Sequence, residues 1–208
     1  MELIVGVNFN SSSAVTEGIF LDGDYCLDHS SIGIPVHPLQ YRAIGVIQGI
    51  YEPLENTLTK GIITTADNST FETVLLGKTI SAVKNHVDLN EVQNWVVYPH
   101  IVPELDRIHL QVAGIFVVNN TNNNYLPPNY FSIRGEVIYS SKKEQKVIVK
   151  ICKNDSLSSK RISFFKLELT GKIPDHTIKH FYSFSVFLEG QKLIIKKYID
   201  LGLIAVNF

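Results

Sequence analysis

Apolar and polar residues alternate at every second position along much of the chain, in short runs that are separated by turn residues. This period, together with many β-branched and aromatic residues, is typical of half-buried β-strands. In the C-terminal part, the pattern predicts strands at Phe131–Ser140, Lys146–Lys153, Ser163–Thr170, His180–Leu188 and Lys192–Ile199. In the N-terminal part, it predicts strands at Ala43–Tyr51, Gly61–Ala66, Phe71–Leu76, Asn94–Tyr98 and Ile108–Val118.

One segment has a helical period instead. Between the third and fourth strands of the first set, Ile80, Val83 and Val87 are spaced as one face of a short helix within Thr79–Asn90. Five strands with a helix at this point are the arrangement of an OB-fold, a small Greek-key barrel. The second set has the loop Pro174–Lys179 there, because its proline opposes a long helix. An SH3-like or other small barrel therefore remains an alternative for the second set.

The two sets of strands also resemble each other in sequence. A constant offset of 86 aligns Ile47-Gln48-Gly49 with Ile133-Arg134-Gly135, and Lys60-Gly61-Ile62-Ile63 with Lys146-Val147-Ile148-Val149. After a shift of eight residues, Leu75-Leu76-Gly77-Lys78 aligns with Leu169-Thr170-Gly171-Lys172. The shared order of these matches predicts a mainly β protein with two tandem OB-fold-like barrels.

A stretch rich in Asn, Thr and Pro marks the boundary between the barrels, because it is too polar to build a core. We expect an acidic OB-like barrel in residues 1–118, a linker in residues 119–129 and a basic OB-like barrel in residues 130–208. The first forty residues add a predicted strand at Leu3–Phe9 and a hairpin around Leu21-Asp22-Gly23-Asp24. These would extend or cover the first barrel.

Charge is sorted along the chain in the same way. Residues 1–129 contain five Lys and Arg against thirteen Asp and Glu, whereas residues 130–208 contain fourteen against seven. The two parts therefore carry about −8 and +7, although the whole chain has a net charge of −1. Surfaces of opposite sign select different partners, so the two barrels are expected to meet different molecules.

Several runs of this sequence resemble an uncharacterised family of cyanobacterial proteins with two OB-like units. The runs are YRAIGVIQGIYEP, VLLGKTISAVKNHVDL and NWVVYPH in the first half, with YFSIRGEVIYSSKKEQKVIVKI, FFKLELTGKIP and HFYSF in the second. The resemblance covers Tyr41 to the C-terminus and implies the fold, but no activity. Members of that family often have a longer, proline-rich basic linker, whereas the linker here is short and Asn-rich.

The strongest candidate site lies on the second and third strands of the basic barrel. Their odd-numbered side chains are apolar and read as core, so the opposite face would bring Lys146, Lys150 and Lys166 close to Phe164. OB-folds hold nucleic acid on these strands, with phosphates on cations and bases stacked on aromatic rings for about 1–3 kcal/mol each. Arg134 and Lys196 would lengthen the track. The alternative is a set of solvated lysines beside a ring that packs against the linker or the other barrel.

Other candidate chemistry is weak. Asp22, Asp24, Asp28 and His29 could offer ligands to a metal, but their spacing does not fit a calcium loop and favours a polar hairpin tip. His176 and His180 would align for zinc on a helix, whereas the segment reads as a loop. No cofactor motif, phosphate loop or activated nucleophile occurs, so we expect a nonenzymatic protein without a metal or cofactor.

Composition points to the cytoplasm. No run approaches the eighteen apolar residues of a membrane span, and the N-terminus lacks the basic and apolar regions of a signal peptide. The two cysteines, Cys26 and Cys152, lie in different halves, which argues against a disulfide framework.

Three functions fit these observations. The leading hypothesis is that the basic barrel binds single-stranded DNA or RNA, while the acidic N-terminal half contacts a protein partner or is autoinhibitory. The competing hypothesis is an assembly module or subunit of a larger complex, in which barrels of opposite charge drive self-association or docking. The third hypothesis is a barrel that binds a small ligand or an oligosaccharide.

Overall fold

The computed structural model describes residues 32, 35–102, 107–116, 126–152, 163–175 and 177–204. The predicted strand at Leu3–Phe9 and the hairpin at Leu21–Asp24 lie outside these residues. Within them, the chain forms a ten-stranded sheet and a single helix. The elements are β1 (Arg42–Leu54), β2 (Thr57–Thr64), β3 (Thr70–Leu75), α1 (Lys78–His86), β4 (Gln93–Val102), β5 (Arg107–Phe116), β6 (Tyr130–Ser141), β7 (Lys146–Cys152), β8 (Phe164–Thr170), β9 (His180–Glu189) and β10 (Lys192–Leu203).

Each of the strands predicted from Ala43 onwards overlaps an observed strand. The helix ends at His86, four residues before the predicted end, because Val87 is already extended and Asp88 forms a turn. The Asp88 carboxylate accepts a hydrogen bond from the Asn90 backbone N–H at 2.9 Å. Such a local bond competes with the helix for the backbone.

The first barrel is a closed OB-fold. Its strands follow the order β1-β2-β3-β5-β4 and return to β1, and all neighbours are antiparallel except β3 and β5. The parallel pairing of β3 and β5 runs from Thr73–Leu110 to Leu75–Val112. Helix α1 connects β3 to β4 and buries Val83 against the core. The predicted position of the helix is thus confirmed.

The second barrel repeats this topology without the helix. Its order is β6-β7-β8-β10-β9 and back to β6, with β8 and β10 parallel at Thr170–Ile194. The described part of the segment between β8 and β9 contains turns and no helix. Gly190 has a φ of 55° in the tight β9–β10 turn, as the hairpin prediction requires. The strand order identifies an OB-fold rather than an SH3-like barrel.

The predicted repeat is present in the register of the strands. Ile50 of β1 pairs with Thr64, and Glu136 of β6 pairs with Lys150, so the offset of 86 holds for both partners. A β-carbon at Gly49 would stand 2.5 Å from the Thr64 carbonyl oxygen, and one at Gly135 would clash with that of Lys150. The first strand of each barrel therefore needs a glycine where it crosses the second strand of the same barrel.

The two barrels share one sheet, because β1 pairs with β6. This antiparallel pairing runs from Arg42–Arg134 to Val46–Tyr130 and uses the first half of each strand. Within this pairing, Gly45 faces Phe131, whose ring fills the space that a side chain at position 45 would occupy. The cores of both barrels merge into one cluster of buried apolar residues across this junction.

Side chains add to the junction on either side of the shared strands. Gln191, in the β9–β10 turn, donates from Nε2 to the Thr70 carbonyl at 2.9 Å and accepts at Oε1 from the Ile108 N–H at 3.3 Å. The ring of His100 on β4 lies 4.9 Å from that of Phe165 on β8. The described end of the predicted linker also packs here, since Leu126 is buried in a small cluster beside β1.

No helix in the described part of the chain is long and apolar enough to cross a membrane.

Replacing Gly45 with alanine should lower the free energy of unfolding by about 1–3 kcal/mol, the usual cost of adding atoms to a filled site. The new methyl group would stand 2.5 Å from the Tyr130 carbonyl oxygen and would push the paired strands apart. Urea denaturation followed by circular dichroism measures the loss.

The matched control is Gly190→Asn, because no atom lies within 4 Å of its β-carbon position and asparagine tolerates a positive φ. It should change stability by less than about 0.5 kcal/mol. Equal losses in the two variants would contradict the tight packing of the junction.

Candidate nucleic-acid interface

The outward side chains of β7 and β8 form one surface, which we call the basic face. Its members are Lys146, Ile148, Lys150, Phe164, Lys166 and Glu168. The opposite side chains of both strands point into the barrel, where Val147, Val149, Leu167 and Leu169 are fully buried. The predicted division into a core side and an outer side is therefore confirmed for these strands.

Lys150 and Lys166 stand at the centre of the basic face. They are direct cross-strand partners, so two positive side chains face each other on one surface. Lys150 Nζ lies 3.0 Å from Glu136 Oε2 and 5.4 Å from the centre of the Phe164 ring. Phe164 is 51% exposed. The structure thus brings these two lysines and the ring together as the sequence predicted.

The other predicted lysines are paired within their own barrel. Lys146 lies on the basic face and forms an ion pair of 2.5 Å with Glu168. Lys196 lies on β10, beyond the single bridge to β8, and pairs with Glu189 at 2.7 Å. Much of the positive charge near the face is therefore already compensated.

Arg134 lies away from the basic face, in the junction of the barrels. It is the cross-strand partner of Arg42, and its guanidinium donates a hydrogen bond to the Pro38 carbonyl. Arg42 likewise donates to the Ile32 carbonyl. Burial, and to a smaller extent the positive charge of Arg134, lower the pKa of Arg42 to about 10. Both arginines fasten the segment before β1 across the paired strands.

A concave site occurs where the barrels meet, and we call it the junction cavity. It has a volume of about 140 Å³. Its walls come from β2, β3 and β5 of the first barrel and from the β9–β10 turn of the second. The lining residues are Ile62, Thr70, Glu72, Arg107, Ile108, His109 and Gln191.

Polar groups converge in the junction cavity. Burial lowers the pKa of His109, while the nearby Glu72 carboxylate acts in the opposite direction. His109 is the cross-strand partner of His100, so both imidazoles lie on the outer surface of the first barrel. His100 contacts Phe165 at the start of β8, and the Phe165 side chain lies on the opposite side of that strand from the basic face.

Two family models match the chain, one on each barrel. The first is described as the N-terminal OB-fold domain of the PatR RNA-binding protein and matches residues 43–123. The second is described as a cyanobacterial OB-fold-like RNA-binding domain, C-terminal, and matches residues 133–202. A comparison with curated proteins finds no match.

The chain belongs to a cyanobacterial family with two tandem OB-fold units. The resemblance found in the sequence is thereby confirmed. The names of both models support nucleic-acid binding as the general function of such domains.

Sequence reasoning missed the junction cavity of this family member. Its residues lie on four separate elements of the structure. The excess of acidic residues in the first half of the chain also gave no indication of cationic groups at one site there. One signal was present: Arg107 and His109 alternate with buried Ile108 and Leu110, which places them on the outer face of β5. Of the metal candidates, the Asp22–His29 group and His176 lie outside the described residues, and no metal-binding group occurs within them.

Replacing His109 with glutamine should reduce the loss of stability at acidic pH. In the unfolded chain the imidazole of a histidine has a pKa of about 6.5, whereas burial lowers the pKa of His109 in the folded protein. The unfolded state therefore holds more protons in this window, and the unfolding free energy falls as pH drops below about 6.5. The difference in unfolding free energy between pH 7.5 and pH 5 should be smaller in H109Q than in the wild type.

His86→Gln, at an exposed position near the end of α1, is the control and should keep the wild-type difference. An unchanged pH dependence in H109Q would contradict the burial effect.

Proposed function

We propose that this protein is a nonenzymatic cytoplasmic RNA-binding protein that holds single-stranded RNA on the basic face of its second barrel. The names of the matching domain models support RNA as the ligand. The position of the basic face on β7 and β8 supports the site, because these are the second and third strands of the barrel, which bind nucleic acid in OB-folds.

The observation that carries the proposal is the pairing of Lys150 with Lys166 beside the exposed Phe164 ring. Like charges directly opposite each other destabilise a sheet, and a bound phosphate would relieve that repulsion. An exposed ring next to the cations offers a platform for one base, since every base can stack. One phosphate and one base of the RNA would then be held at the same place on the basic face.

The ion pairs of the basic face limit its strength. Lys146 and Lys150 face Glu168 and Glu136, so RNA must compete with two carboxylates for these ammonium groups. Lys166 has no ion pair within the described residues. We therefore expect modest affinity that depends on salt, since cation–phosphate contacts release counterions.

Removing the two central lysines should weaken binding and flatten its salt dependence. For single strands, each phosphate contact contributes a slope of about −0.7 in a plot of log K against log salt. The variant Lys150→Gln/Lys166→Gln should therefore lose about 1.4 of the slope. Fluorescence anisotropy with a labelled ten-nucleotide RNA, between 50 and 200 mM salt, measures both effects.

Controls separate the basic face from net charge and from unfolding. Lys78→Gln/Lys84→Gln removes the same charge from α1 of the first barrel and should preserve affinity and slope. Phe164→Ala should lose about 1–3 kcal/mol of binding, whereas Phe164→Tyr should retain it. Equal effects of the two lysine pairs would contradict the proposed face.

Self-association is the second candidate function, and the outer part of β10 supports it. Beyond Ile194, β10 pairs only with β9 among the described residues. Ile199, Leu201 and Leu203 alternate along this part and are 62%, 37% and 67% exposed. An open strand edge with apolar side chains can pair with the same edge of a second copy. Such contact would not need the opposite charges that the sequence suggested.

Light scattering between about 1 and 100 μM protein tests this candidate without RNA. A mass that rises with concentration, and that Ile199→Lys returns to that of the monomer, would support it. A monomer over the whole range would count against it.

A further inference from the structure

The junction cavity has the properties of a base-binding pocket. We propose that it holds one guanine base of the RNA strand that lies on the basic face. This inference rests on the proposed function, because it assigns a second contact of the same strand. It gives the acidic barrel a role in recognition, next to the cationic contacts of its neighbour.

The size of the cavity suits a single base. Pockets that enclose drug-sized molecules have volumes of about 300–1,000 Å³. The junction cavity, at about 140 Å³, has room for a flat ring system and leaves the sugar and phosphate outside. An extruded base of a flexible single strand is such a ligand.

The carboxylate of Glu72 sets the choice of base. It forms no hydrogen bond or ion pair with the described residues, so its oxygens can accept from a ligand. Guanine presents two adjacent N–H groups, N1–H and N2–H, on its Watson–Crick edge, and both can donate to one carboxylate. Adenine and cytosine present a ring nitrogen acceptor beside their amino group, and uracil places a carbonyl on each side of its N–H. Guanine is therefore the base that matches Glu72.

The neighbouring side chains fit the same ligand. Burial lowers the pKa of His109, so its ring is neutral near pH 7 and offers a flat surface and a ring nitrogen to the base. Arg107 lies two residues earlier on the outer face of β5, exposed and without an ion pair to the described residues. Its guanidinium can reach the phosphate that remains outside the cavity.

Gln191 forms a fixed wall of the cavity and does not distinguish one base from another. Its amide nitrogen donates to the Thr70 carbonyl, and its amide oxygen accepts from the Ile108 N–H. Because both ends are occupied by the first barrel, discrimination falls to Glu72. The second barrel thus completes the pocket by closing one side of it.

The basic face and the cavity both lie near the start of β8. Phe164 belongs to the basic face, whereas the next residue, Phe165, points to the other side of β8 and contacts the His100 ring. His100 in turn is the cross-strand partner of His109, which lines the cavity. An RNA strand held at Phe164 would have to pass the end of β8 to reach these rings and the cavity, where aromatic and imidazole rings favour stacked bases.

The test compares RNAs that differ in one base. Fluorescence anisotropy is measured with labelled ten-nucleotide oligo-U and with the same RNA carrying one central guanine, adenine or inosine. The RNA with guanine should bind at least about tenfold more tightly than the RNA with adenine, because a hydrogen bond to a charged group contributes about this much. Inosine, which retains N1–H but lacks the N2 amino group, should fall between them.

Glu72→Gln should reduce the preference for guanine over adenine to about twofold or less, and it should not weaken oligo-U binding, because it removes a negative charge that repels phosphates. Glu91→Gln, an exposed carboxylate in the turn before β4, is the matched control and should keep the preference. Thermal melting of each variant verifies folding.

The outcomes separate the two proposals. Oligo-U binding without a guanine preference, or a preference that survives in E72Q, would overturn the guanine pocket and leave the basic face standing. Failure of every RNA to bind the wild type at 50 mM salt would overturn the proposed function, and the pocket with it.

Discussion

The backbone pairing of β1 with β6 is the interaction on which the rest of the structure depends. It turns two small barrels into one sheet, joins their cores and fixes the position of the β9–β10 turn against the first barrel. A small barrel of this size buries limited apolar surface alone, so the shared core stabilises both. The same pairing creates the junction cavity, because its walls belong to different barrels.

The basic side chains of the second half of the chain contribute little to this junction. The barrels are held together by backbone hydrogen bonds, a shared apolar core, aromatic contacts, the Gln191 amide and the Arg134 guanidinium. Lys146, Lys150 and Lys196 instead pair with carboxylates of their own barrel. None of these three ion pairs is used to hold the two barrels together.

The strands, the helix and the core side of β7 and β8 could be predicted because alternation and helical spacing are local properties. The offset of 86 also predicted the register of β1–β2 and β6–β7 correctly. The sequence match of Leu75 with Leu169 does not extend to the pairing of the strands. Ile63 pairs with Phe71 in the first barrel. Val149, the equivalent of Ile63, pairs with Leu167, which is two residues beyond the position that this match predicts. Arg134 and the cavity depend on how the barrels pack, and no local pattern in one strand records that packing.

The pair Gly45–Phe131 has a consequence for which barrels can pair. The two residues are equivalent under the offset of 86, yet they face each other, so a local twofold axis passes between them. This is the geometry of an isologous dimer within one chain. Two first barrels would place glycine against glycine and leave a void, and two second barrels would bring two phenylalanine rings into one space. One small and one large residue on the axis therefore favour the pairing of unlike halves over like ones.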